Sequence, residues 1–156
     1  APSQTFNLAG LASSSVIISN EELRARFKAA EQKLYLSHNL FGLTATEAAY
    51  TTGGEWLTAL LDYLQGNIRL VNDFLQSEIP GVSFSLPEAT YLLWLDFNRL
   101  GMKNNELKSA LIENARLGLN DGRMFGPGGQ GFQRMNIACA RSLLLQALQN
   151  LKTAFG

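Results

Sequence analysis

Three stretches decide the fold: Val82-Ser83-Phe84-Ser85-Leu86, then Tyr91-Leu92-Leu93-Trp94-Leu95-Asp96-Phe97, and later Phe132-Gln133-Arg134-Met135-Asn136-Ile137-Ala138-Cys139. The first alternates apolar and polar residues, as a half-buried strand does. The second is almost wholly apolar and rich in large side chains, which suits a more deeply buried strand. In the third, alternation is clean from Arg134 to Ile137, and Arg134 and Asn136, two residues apart, share one strand face. Between the second and third, Asn104 to Arg116 reads as a helix with Leu107, Ala110, Leu111 and Ala115 on one side, and Leu117-Gly118-Leu119 reads as a short strand. Arg141 to Phe155 closes the chain as an amphipathic helix through Leu144, Leu148 and Leu151. The order strand, strand, helix, strand, strand, helix predicts a small α+β sandwich, a sheet with helices on one face.

Upstream the texture is helical. Glu55 to Ile79 carries Leu57, Leu61, Leu64, Ile68, Val71 and Leu75 at spacings of three and four, and Pro80-Gly81 ends it. A helix of about 25 residues is roughly 37 Å long, enough to bridge two lobes or to run through one core. Thr44 to Tyr50 forms a shorter helix before the break at Gly53-Gly54. Asn20 reads as an N-cap, with Glu21 and Glu22 in the first turn and Leu23, Phe27, Ala30 and Leu34 along one face. Ser14 to Ser19, with Val16-Ile17-Ile18 at its centre, predicts a buried strand. Residues 1–11, punctuated by Pro2 and Gly10, read as a loop.

Composition narrows the function classes. The chain has 156 residues, 46% of them apolar, with 13 acidic and 13 basic side chains. A net charge of zero speaks against a sequence-independent grip on nucleic acid. One cysteine, Cys139, excludes an intramolecular disulfide, and one histidine, His38, excludes a two-histidine metal centre. No apolar run reaches the length of a membrane span and no signal-peptide pattern opens the sequence, so the expectation is a cytoplasmic domain.

Motifs with chemical potential are few. Gly126-Pro127-Gly128-Gly129-Gln130-Gly131 has the glycine spacing of a dinucleotide loop, but it precedes a strand rather than joining a strand to a helix, so a plain turn is the better reading. Arg134, held on a strand, could grip a carboxylate through two parallel hydrogen bonds, or be an ordinary surface arginine. Cys139 reads as a small apolar filler and His38 as a loop residue, while Tyr35, Tyr50 and Tyr91 read as core or interface rings.

A resemblance takes the reading further. Ser3-Gln4-Thr5-Phe6-Asn7-Leu8-Ala9-Gly10-Leu11 resembles the cofactor-lysine segment of fold-type I pyridoxal-phosphate enzymes, and is most similar to the MalY/PatB type of cystathionine β-lyase (C–S lyase) in the class I/II aminotransferase branch. Leu40-Phe41-Gly42-Leu43-Thr44-Ala45, Glu47-Ala48-Ala49-Tyr50, Trp56-Leu57, Thr90-Tyr91-Leu92, Trp94-Leu95-Asp96 and Gly131 to Arg141 follow in the same order, so the likeness covers essentially the whole chain.

The resemblance implies a C-terminal portion of a longer protein of α/β fold. Residues 1–42 would be the tail of the large cofactor-binding domain, 43–80 a helical interdomain segment, and 81–156 the small C-terminal domain, a sheet covered by helices. It implies pyridoxal 5'-phosphate as the cofactor, an amino acid as substrate and a homodimer when full length, with neither nucleic acid nor membrane as partner. Arg134 matches the arginine that binds the substrate carboxylate. Ser3 and Gln4 fall in the cofactor-binding segment, and Gln4 stands at the Schiff-base lysine, which it cannot replace because a carboxamide is not a nucleophilic amine. Ala12 stands where many aminotransferases of this fold carry a phosphate-binding arginine, which leans toward the lyases. Ala140 replaces a usual proline, and Asp121-Gly122 a usual Pro-Gly. The expectation is a fragment of a C–S lyase or aminotransferase, alone without turnover and without bound cofactor. The alternative is a non-catalytic pseudoenzyme or protein-interaction module.

Overall fold

Asn20 caps the first long helix as its sequence suggests: its side-chain oxygen accepts from the Leu23 amide at 2.9 Å. In the computed structural model, residues 1–34 and 39–156 are described. Tyr35 and His38, on which sequence expectations were placed, lie outside them. The chain divides into two compact units, 1–61 and 62–156.

The first unit holds a single helical turn, α1 (Pro2–Thr5), then α2 (Glu21–Lys33) and α3 (Leu40–Thr52). Helix α4 (Gly54–Glu78) starts here and continues into the second unit. Two expectations need correction. The opening residues are not all loop: Pro2 pre-sets the φ of α1, and a further tight turn spans Ala9–Leu11. Ser14 to Ser19 is neither a strand nor buried, and Ile17 is 93% exposed. A β-branched run becomes a strand only when another strand offers it a ladder, and every strand of the sheet lies beyond residue 82. The apolar stripe of α2 exists, but none of its residues is buried. Helix α3 begins four residues earlier than expected, because Asn39 accepts from the Phe41 amide at 3.1 Å and caps it.

The second unit contains the hydrophobic core. After α4 come β1 (Ser83–Phe84), β2 (Leu92–Asp96), α5 (Asn104–Ser109), β3 (Asn120–Asp121), β4 (Phe132–Asn136) and α6 (Arg141–Phe155). The four strands are antiparallel in the order β1-β2-β4-β3. One face of the sheet turns Leu93, Leu95 and Met135 toward Ile68, Val71 and Leu75 of α4, Leu107 of α5, and Leu144, Leu148 and Leu151 of α6. Helices therefore cover one face, as the alternation of strands and helices predicts. The other face carries Trp94 and Arg134, which stand opposite each other in register. The expected strand at Leu117–Leu119 is displaced to Asn120–Asp121, because α5 runs on into a wider turn over Ala110–Asn114 and Leu117 and Leu119 turn to the core instead.

The glycine-rich stretch is structural. A Cβ on Gly122 would collide with the Gly129 carbonyl oxygen, and one on Gly129 with the Gly122 carbonyl. The two short turns at Gly122–Phe125 and Pro127–Gly129 thus pack backbone against backbone. No helix N-terminus follows them; β4 does, in agreement with the reading of this motif as a turn.

Asn67 of α4, fully buried, ties three elements. Its Nδ2 donates to the Ile137 carbonyl at 2.9 Å and its Oδ1 accepts from Arg141 Nε at 3.1 Å. Replacing Asn67 with Ala leaves that carbonyl and the guanidinium short of partners, and should lower unfolding stability by about 3 kcal/mol. Urea unfolding with a two-state fit measures this; a loss below about 1 kcal/mol would show that water replaces the carboxamide at little cost.

Candidate functional site

Arg134 sits in the middle of β4, directly opposite Asn120 of β3 on one side and Trp94 of β2 on the other. Strand alternation sends Gln133 and Met135 to the core and leaves Arg134 half-buried on the opposite face. Its guanidinium is held on two sides. Nε and Nη2 both donate to Asn120 Oδ1, at 3.3 and 3.0 Å. The flat face lies over the Phe125 ring, 4.6 Å from its centroid. Phe125 meets Trp94 edge-on at 5.5 Å, and Trp94 stacks on Phe132 at 5.6 Å. A cation is thus mounted on a rigid sheet beside an aromatic wall, and among the described residues no carboxylate is paired with it. Such a group binds a planar anion well, because its remaining N–H donors have fixed directions.

The adjacent carboxylate is spoken for. Asp121 receives Arg123 Nε at 3.0 and 3.1 Å and Arg123 Nη2 at 2.6 Å, and its Oδ1 also accepts the Arg123 amide at 3.0 Å. Those Arg123 hydrogen bonds hold the Asp121 carboxyl below its ordinary range, against a smaller opposing effect of burial, and raise the Arg123 guanidinium in turn. Asp121 also caps the turn that begins at Gly122. Ala140 holds φ −58° and ψ 138°, within reach of the conformation that proline would impose.

Ser3 and Gln4 lie in the other unit, on α1. The turn closes through the Gln4 and Thr5 amides on the Ala1 carbonyl, at 3.1 and 3.2 Å. Phe6 anchors it, meeting Tyr50 edge-on at 5.2 Å and Trp56 at 6.1 Å. Ser3 is half-buried and Gln4 exposed. Tyr50 is a packing ring, as expected, although it is mostly exposed. Tyr91 is half-buried against the core of the second unit. Cys139 packs there too, and burial pushes its thiol up, away from the reactive thiolate. Ala12 occupies left-handed backbone, φ 47°.

Two contributors escaped the sequence reading: Asn120 and Phe125. The aromatic and amide types were visible, but their approach to Arg134 depends on strand register and on the 122–131 turns.

No protein-family model matches the chain. Cystathionine beta-lyase PatB of Bacillus subtilis is 41% identical over 155 residues, 99% of this chain and 40% of that protein. Protein MalY of Escherichia coli is 34% identical over 97% of this chain and 40% of its own length. The crystal structure of cystalysin from Treponema denticola, which contains pyridoxal 5'-phosphate, superposes with a TM-score of 0.93 at 35% identity, over 99% of this chain and 39% of that one. The chain is thus similar over its whole length to part of the pyridoxal-phosphate-bound C–S lyases and aminotransferases. Within that class its likeness over the whole chain is to the C-terminal part of the MalY/PatB type of cystathionine β-lyases. It spans about 40% of the length of the curated relatives it matches.

The Asp121–Arg123 pair gives a pH prediction. Its carboxyl is lowered in the folded state, so its contribution to stability is present above the unfolded carboxyl value and is lost as pH falls through the lowered folded one. A carboxyl carbon-13 titration should find Asp121 below the ordinary range, and Arg123→Ala should return it there; an Asp121 value unmoved by Arg123→Ala would contradict the assignment.

Proposed function

We propose that the chain is the C-terminal portion of a pyridoxal-phosphate-dependent C–S lyase of the cystathionine β-lyase kind, or of an aminotransferase, that acts on amino acids. Residues 1–42 belong to the tail of its large domain, 43–80 to the helical connection and 81–156 to the small domain. Arg134 binds the substrate α-carboxylate. The observation that carries this reading is the mounting of Arg134: a strand-fixed guanidinium, faced by Phe125, with no carboxylate neutralising it among the described residues. A surface arginine of no function has no need of that support. Full length, the protein is expected to be a cytoplasmic homodimer.

Gln4 does not fit the cofactor. Pyridoxal phosphate supplies an aldehyde and an electron-withdrawing ring, and its attachment requires a basic amine. Gln4, at the position that corresponds to the lysine, offers a carboxamide whose nitrogen is neither basic nor nucleophilic. The chain's lysines nearest in sequence are Lys28 and Lys33, both on α2. This chain therefore supports recognition of the substrate carboxylate, and Gln4 supports no covalent attachment of the cofactor and no proton transfer. Gln4 also favours a second reading, a pseudoenzyme or interaction module that retains the fold and the anion site.

Absorption separates the two. In the intact protein that contains these residues, mixed with pyridoxal phosphate, Gln4→Lys should produce a visible band absent with Gln4. That result would support a preserved cofactor site disabled at one residue. A spectrum without the band in both forms would favour the pseudoenzyme. The 156-residue chain alone should show no lyase or transaminase turnover, and a measurable rate would overturn this account.

A further inference from the structure

Arg134 has five N–H donors, and Asn120 uses two of them. Both lie on one edge of the guanidinium, the Nε–Nη2 edge. The terminal edge, Nη1–Nη2, still offers a parallel pair of N–H groups. One flat face is closed by the Phe125 ring. The arginine is thus left with one edge at which a carboxylate can make two parallel hydrogen bonds.

The identity of the residue at 120 matters as much as its place. A carboxamide oxygen accepts the two hydrogen bonds without bringing a charge. An aspartate there would make a side-on ion pair with Arg134 and cancel the charge an incoming anion needs. The next residue is an aspartate, but alternation along β3 separates its side chain from Asn120, and Arg123 engages it. Asn120 and Asp121 therefore divide two duties: a neutral partner for the ligand-binding arginine, and a charged partner for Arg123.

We infer that Asn120 is a positioning residue that fixes Arg134 with its terminal edge presented to a single carboxylate while leaving its charge uncompensated. This inference rests on the proposed role of Arg134 and names what makes that role specific. Phe125 completes the mount, holding the guanidinium plane rather than its edge. No atom is transferred; Asn120 acts only through Arg134.

The protein carries its own reporter. Trp94 touches Phe125 and lies opposite Arg134, so occupation of the guanidinium should alter its fluorescence. These 156 residues hold two tryptophans, so in the 156-residue chain Trp56→Phe leaves Trp94 alone. In that background, acetate would be titrated at constant ionic strength, with acetamide as the uncharged control. Acetate should give a saturable change, acetamide none, and Arg134→Gln should abolish it. Asn120→Asp should weaken acetate binding about tenfold and Asn120→Ala about threefold, with thermal unfolding midpoints unchanged.

If acetate has no saturable effect, or acts equally on Arg134→Gln, the carboxylate reading of Arg134 fails and the role of Asn120 fails with it. If acetate requires Arg134 but binds both Asn120 variants as tightly as the parent, the Arg134 reading stands and the positioning role alone is overturned. Should Asn120→Asp unfold, Asn120→Ala decides the matter: parental affinity in that variant rules the role out.

Discussion

A single buried carboxamide sets the geometry on which the second unit depends. Asn67 lies on α4, with no exposure to solvent, and reaches the last residues of β4 and the first of α6 at once. Its amide donates to the Ile137 carbonyl, one residue beyond the strand. Its oxygen takes the Arg141 guanidinium, whose face lies over Tyr63 one turn earlier on α4. Tyr63 in turn donates its hydroxyl to the Cys139 carbonyl at 3.1 Å. The stretch between β4 and α6 is therefore fastened at Ile137, Cys139 and Arg141 to one helix. At the other end of the unit, Lys152 of α6 pairs with Glu78 of α4. An apolar contact could have held these elements together, but it would not have set their register, since hydrophobic packing is not directional.

That fastening bears on the proposed anion site. Arg134 is three residues before Ile137, and the strand has no freedom to slide while Ile137 is held. A slip of one residue would send Arg134 into the core and bring Gln133 or Met135 to the aromatic face. The core side resists the same slip, because Met135, Leu93 and Leu95 fill it. Asn120 then meets Arg134 because β3 is held by its own pairing and by the collision-free passage that Gly122 and Gly129 give each other. Two glycines and one buried amide, none of them touching the guanidinium, hold the register that sets Arg134 beside Asn120.

The features legible in the sequence are those with local causes. The span of α6, the long α4 ended by Pro80-Gly81, the Asn20 cap and the shared face of Arg134 and Asn136 all follow from residues within a turn or two of each other. What was not legible depends on partners far along the chain. Val16-Ile17-Ile18 has strand chemistry but no ladder in the sheet, so it stays open. Leu117 and Leu119 have the same chemistry, yet the strand falls on Asn120-Asp121, polar residues chosen by pairing with β4 rather than by propensity. The stripe of α2 has helical spacing, and its spacing says nothing of whether anything covers it. In the candidate site the split is the same. Arg134 was visible from its strand and from a resemblance, whereas Asn120 and Phe125 become part of the site only through register and turn geometry.

The two carboxamides at positions 4 and 120 make opposite arguments from the same chemistry. An amide group is neutral, weakly basic and a good hydrogen-bond acceptor through its oxygen. At position 120 those properties are an advantage, since a cation that must receive an anion is better oriented by a neutral acceptor than by a competing charge. At position 4 they are a loss if the site is to hold a carbonyl cofactor, since neither basicity nor nucleophilicity survives the exchange of an amine for an amide. In the proposed roles, then, Arg134 keeps a neutral partner and an aromatic face, whereas Gln4 offers no nucleophilic amine. Anion recognition at Arg134 is the property this geometry supports independently of whatever stands at position 4.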